Sequence, residues 1–194
     1  MPKVVDPVER KQELAQAVWR VIRRDGLAEA SVRNVAKEAG LSMGSLRHYF
    51  GTQAELMAFA LRMVIDRIEA RIAALEPEPD PRRRAELILT ELLPVDADRE
   101  AENEVWLAFT AQAMVDPELR ALRDAGYDAL RAGCRGLSEG LSVADAELEA
   151  DRLHALVDGL AVHAAMRPDL NSPERMRAII ACHLDELEDR TNRS

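Results

Sequence analysis

The chain has 194 residues, 47% hydrophobic, 31% charged and only 4% aromatic, the balance of a soluble globular protein with room for an apolar core. No stretch approaches the ~20 uninterrupted apolar residues of a membrane span. The start, MPKVVDPVERK, has no export-signal centre, and Cys134 and Cys182 are too few and too scattered for a disulfide framework or a zinc site, so a cytoplasmic protein with no metal and no cofactor is expected. The net charge of −9 is divided unequally, with +3 in residues 1–50 and −12 in the remainder. A mildly basic head on an acidic body can still meet phosphate locally.

Low aromatic content beside abundant Ala, Leu, Glu and Arg favours helices over sheets. Their starts are well marked. Asp6-Pro7, Asp80-Pro81, Asp116-Pro117 and Ser172-Pro173 each place a capping residue before a proline at the first helical position. Thr52 with Glu55, and Ser142 with Asp145, have capping-box spacing. These marks predict an all-α fold of about nine helices, near 7–24, 32–39, 43–49, 53–75, 81–93, 99–114, 117–136, 143–166 and 173–189. Helix 1 buries Leu14, Val18, Val21 and Ile22 on one face. Helix 4 carries two apolar stripes, Leu56, Phe59, Ala60 and Met63 toward the N-terminal domain and Leu61, Ile65, Ile68, Ile72 and Leu75 toward another neighbour. A helix shared in this way is a mechanical link between two packing units.

Residues 31–56, SVRNVAKEAGLSMGSLRHYFGTQAEL, are the most informative stretch. A short helix with Val32, Val35, Ala36 and Ala39 on one face stops at Gly40, and Ser42 can cap a second helix from Met43 to Tyr49. Two short helices joined by a glycine-containing turn form a helix-turn-helix, whose second helix fits the DNA major groove. Arg47 is the candidate base reader, because a guanidinium can bridge O6 and N7 of guanine, with Met43 and Ser45 beside it. Gly44 permits close backbone approach. His48, Tyr49 and Thr52, the last backed by unpaired amides of helix 4, suit phosphate, while Ser31 and Arg33 suit the opposite strand.

Ala36, Gly40, Ser42, Gly44, Leu46, Tyr49, Phe50 and Leu56 fall where the tetracycline-repressor (TetR) family has its signature, and over about residues 8–60 the chain resembles that family. The resemblance implies operator contacts at Ser31, Arg33, Ser42, Met43, Gly44, Ser45, Arg47, His48, Tyr49 and Thr52. It also implies a three-helix DNA-binding domain at 1–52 and an effector-binding and dimerisation domain at 53–194. Two positions depart from it: Arg47 stands where many members have Tyr, and Gln53 where many have Lys. Downstream, Trp106-Leu107-Ala108-Phe109 followed by Asp116-Pro117-Glu118-Leu119 resembles the subgroup with betaine-regulator-type C-terminal domains.

In the body, Met63, Trp106, Phe109, Met114, Tyr127 and His154 are candidate linings of an apolar ligand pocket, although pocket and core walls share composition. Leu153, Leu156, Val157, Leu160 and Ala164 form one stripe, and Met176, Ile180, His183, Leu184 and Leu187 another. Together they are the candidate homodimer surface, a four-helix bundle of two helices from each subunit, unless they face their own subunit's core. An enzyme is disfavoured: Cys134 and the histidines at 48, 154, 163 and 183 have no catalytic spacing, and His154 with Asp158 lacks a second metal-ligand cluster. A helical adaptor that never binds DNA leaves Arg47 and the basic head unexplained. The expected function is a homodimeric, ligand-responsive transcriptional regulator, most simply a repressor that leaves a palindromic operator when a small molecule binds.

Overall fold

The computed structural model describes residues 7–191. Among them are nine α-helices and two single 3₁₀ turns, with no strand. The helices are α1 (Pro7–Asp25), α2 (Val32–Glu38), α3 (Met43–Arg47), α4 (Gln53–Ala73), α5 (Pro81–Glu91), α6 (Ala97–Val115), α7 (Arg120–Gly140), α8 (Ala146–Met166) and α9 (Pro173–Thr191). The all-α expectation holds, most boundaries fall within two residues of those expected, α7 runs on to Gly140, and three ends differ in kind. α3 ends at Arg47 with His48 as its C-cap. The Asp116-Pro117 start opens a 3₁₀ turn, Pro117–Leu119, and α7 begins after it. α8 is capped by Asp145, whose carboxylate accepts the Leu148 amide at 3.0 Å.

Ser142, which the spacing assigns to that cap, instead terminates α7 in the left-handed region at φ 56. The Ser142 amide donates to the Glu139 carbonyl at 3.0 Å and Val143 to Ser138 at 3.4 Å, the paired bonds of a Schellman stop. Other caps form where expected. Asp80 accepts from Arg82, and Ser172 accepts from Arg175 at 3.3 Å. Asp6 lies outside the described residues.

The chain divides into two compact units. One contains the described residues up to Asp66 together with Glu104–Leu119; the other contains Arg67–Asn103 and the described residues from Arg120 onward. The first buries Leu14, Val18, Val21 and Ile22 of α1, Val35 and Ala36 of α2, Leu46 of α3 and Leu56, Ala60, Leu61 and Val64 of α4. Each fully buried aliphatic side chain contributes about 1.5–3 kcal/mol.

The second unit has one apolar core: Ala85, Leu89 and Leu93, Cys134 of α7, Ala150, Leu153, Val157 and Leu160 of α8, and Met176, Ile180, Leu184 and Leu187 of α9. Of the two readings of the expected dimer surface, this packing favours the one in which the stripes face their own subunit's core. Leu153, Val157, Leu160, Met176, Ile180, Leu184 and Leu187 are enclosed within their own chain, Leu156 and Ala164 pack against the same core, and His183 Nε2 lies 2.7 Å from the buried Glu149 carboxylate. α8 has apolar residues on two faces. The face at Leu153 closes the subunit, and the opposite one, Leu148, Ala155, Gly159, Val162 and Met166, is left outward, with Leu148 59% and Met166 71% exposed.

Candidate nucleic-acid interface

Local sequence fixes the two-helix head. The Ser31 hydroxyl accepts the Asn34 amide at 3.2 Å to start α2. α2 stops at Gly40, φ 65, where Leu41 donates to the Ala36 carbonyl at 2.9 Å and Gly40 to Lys37 at 3.2 Å. Glycine is needed there for its positive φ and not for space, since a Cβ would meet nothing within 4 Å. Two residues on, the Ser42 hydroxyl accepts the Ser45 amide at 3.0 Å and starts α3.

Leu46 is the only side chain of α3 in the core, at 0% exposure. Met43, Gly44, Ser45 and Arg47 face outward, as do His48 and Tyr49 just after the helix, and Arg33 and Thr52 are also exposed. Ser31 is half-buried at its cap. Ser42 is exposed, and its hydroxyl lies 2.9 Å from that of Ser45, so the two are already hydrogen-bonded to each other.

The start of α4 differs from expectation. The Thr52 hydroxyl accepts the Glu55 amide at 3.1 Å, and Glu55 Oε2 in return accepts the Gly51 and Thr52 amides. This capping box occupies the Gly51, Thr52 and Glu55 amides and sets a carboxylate beside Thr52, which opposes a phosphate there. Gln53 is used structurally, its amide donating to the Ala30 carbonyl at 3.1 Å. That bond ties α4 to the connection before α2.

Charge pairing sharpens the picture that net charge left coarse. Arg20 and Arg24 both hold Glu38, at 2.7 and 2.9 Å, and their hydrogen bonds keep its carboxyl below the usual glutamate range. Arg24 also holds Asp25 at 2.8 Å, and Arg10 holds Glu13 at 2.7 Å. Arg33, Lys37 and Arg47 have no carboxylate partner among the described residues. Among the described residues, the uncompensated cations of the helix-turn-helix itself are therefore Arg33 and Lys37 on α2 and Arg47 on α3. Sequence reasoning missed Lys37, whose signal was a lysine on the same short helix as Arg33.

The body candidates divide between the units. Met63, Trp106, Phe109 and Met114 belong to the first, with Phe109 1% and Met114 74% exposed. Tyr127 and His154 belong to the second, their rings 4.6 Å apart. The His154 ring is buried, and its Nε2 lies 3.3 Å from Asp158 Oδ2 without hydrogen-bond geometry. Burial and the nearby Asp158 carboxylate push the Cys134 thiol up to about 11, which leaves almost no thiolate at neutral pH.

Comparison with known proteins agrees with this geometry. A family model described as bacterial regulatory proteins, tetR family, matches residues 14–59. A second, described as BetI-type transcriptional repressor, C-terminal, matches residues 81–188. The HTH-type transcriptional regulator PksA of Bacillus subtilis (strain 168) is 40% identical over 195 residues, covering 96% of this chain and 94% of that protein. The crystal structure of a transcriptional regulator from Rhodococcus sp. Rha1 superimposes with a TM-score of 0.80 at 36% identity, covering 91% of this chain and 95% of that one. That of the multidrug binding protein EbrR complexed with ethidium superimposes with a TM-score of 0.67 at 28% identity, covering 91% and 98%.

Proposed function

Because this chain belongs to the TetR family of bacterial transcriptional regulators, we propose that it acts as a cytoplasmic homodimer on a palindromic operator and is a repressor released by a small-molecule effector. The observation that carries this reading is the outward face of α3: one anchored leucine, a serine-capped start and an unpaired Arg47. Arg47 reads a base, and Arg33, Lys37 and Tyr49 position the head on phosphate. One two-helix head grips few base pairs. Two heads about 34 Å apart read both halves of a palindrome.

The second copy docks on the outward stripe of α8, where Leu148, Val162 and Met166 expose apolar surface around the small Ala155 and Gly159. Small residues at the centre let two helices approach closely. For the effector, the Tyr127 and His154 rings beside Asp158 favour a cation, held by ring faces and one carboxylate. The ethidium bound by EbrR is a ligand of that class. Effector binding tilts α4 and alters the spacing of the two heads, which lowers operator affinity by linkage.

The test is DNA selection with the purified protein, followed by footprinting. A two-fold symmetric footprint with half-sites one turn apart, tightly bound against scrambled competitor and released by ethidium, supports the reading. Weak binding to every sequence overturns it. Val162→Glu should halve the molar mass in solution and abolish the symmetric footprint; an unchanged dimer moves the interface elsewhere.

A further inference from the structure

We propose that the DNA-reading unit carries its own small-molecule site, a cleft beside α3 that takes a planar aromatic anion and excludes DNA by engaging the base reader. It rests on the reading of Arg47 as a base contact only for that last step. The cleft encloses about 630 Å³, within the size range of ligand pockets. All its lining belongs to the first compact unit, from Leu14 of α1, the end of α3, the turn after it, the first turns of α4 and the 3₁₀ turn that follows α6.

The walls select an aromatic. Ala58 and Leu119 are buried beneath it, and the rings of Phe50 and Phe59 meet at 5.0 Å and 56° along one side. A flat ring system entering here stacks on Phe59 and trades water for apolar contact.

The charges select an anion. Arg47, His48 and Arg62 line the cleft, all exposed and without a carboxylate partner among the described residues. Two acids also line it, Glu55, which caps the Gly51 and Thr52 amides, and Glu118, but among the described residues neither pairs with a guanidinium, so Arg47 and Arg62 keep their donors free for a ligand carboxylate. A guanidinium meets a carboxylate through two parallel bonds. Arg47 cannot grip such a ligand and a guanine edge together. This site therefore competes with DNA directly, at the head itself, and takes the opposite charge from the effector proposed for the body.

The experiment titrates 2-naphthoate and the neutral 2-naphthamide into ¹⁵N-labelled full-length protein, followed by NMR. Saturable shifts are expected at the Gly51, Ala54 and Phe59 amides, with the amide probe about tenfold weaker. Arg62→Gln, at an exposed position, should weaken 2-naphthoate about tenfold, and Glu118→Gln should tighten it about two- to threefold. Saturating duplex should abolish the shifts. Shifts that are absent, confined to α7–α9, or equal for the two probes overturn the site. Shifts that persist with duplex bound overturn the exclusion of DNA. A protein that fails to bind any duplex defeats the proposed function instead, and the titration without DNA still decides this one.

Discussion

The head and the body treat their arginines differently. In the body, Glu102 is nearly buried and holds Arg67 Nε and Arg71 Nη2, both at 2.7 Å, while Arg71 also reaches Glu91 at 2.9 Å. Arg82 holds Asp185 and Arg131 holds Asp151, each at 2.6 Å. These pairs join helices distant in sequence. In the head, Glu38 gathers Arg20 and Arg24, while Arg33, Lys37 and Arg47 are left to solvent among the described residues. Arginine serves packing in the body and around Glu38, whereas the unpaired cations of the head are those proposed to meet DNA, and partner geometry, not net charge, separates the two groups.

The sharpest way to break the contrast is to remove a structural carboxylate. Glu102→Ala strips two half-buried guanidiniums of their shared acceptor and should cost about 2–3 kcal/mol of stability, below the full cost of a buried pair because Arg67 and Arg71 keep some water. Urea denaturation should show it. An unchanged midpoint would mean the pairs are ornamental. Arg47→Ala should do the reverse, leaving the midpoint unmoved and relaxing specificity at one base position by about 1–3 kcal/mol. A uniform loss across sequences would reassign Arg47 to phosphate.

Glu38→Gln converts one structural cation into a free one. With Arg20 released and Arg24 still held by Asp25, affinity for random duplex should rise modestly at low salt and steepen with decreasing salt; no gain would place Arg20 away from the DNA face. The smallest effect belongs to Ser142, held at a φ that favours glycine. Ser142→Gly should raise stability by about 0.5–1 kcal/mol, measurable as a rise in Tm with DNA binding unchanged.

The head was legible because its signals are local. Ser31, Gly40 and Ser42 act on amides within five residues, so the lettering alone yields the two helices and the turn. The ambiguous marks were those with two local readings. Ser142 and Asp145 have cap spacing, but the serine closes α7 while the aspartate opens α8. Likewise both faces of α8 are apolar, and only packing into the core shared with α5, α7 and α9 reveals which one is core. The Arg20–Glu38 pair spans 18 residues and Arg82–Asp185 spans 103, separations at which no pattern in the chain announces a contact. The cleft beside α3 was invisible for the same reason, since Glu118 and Arg62 meet it from distant segments.

The most direct measurement is the salt dependence of binding to the selected operator, for the unaltered protein and for Lys37→Ala, with Arg131→Ala as a body control. With Arg33 and Lys37 on phosphate in each of two heads, log K should fall with log salt at a slope of about −3.5, flattened to about −2 by Lys37→Ala and unaltered by Arg131→Ala. A slope near zero, or one that Arg131 changes as much as Lys37, would contradict a head whose unpaired cations carry the contact with DNA.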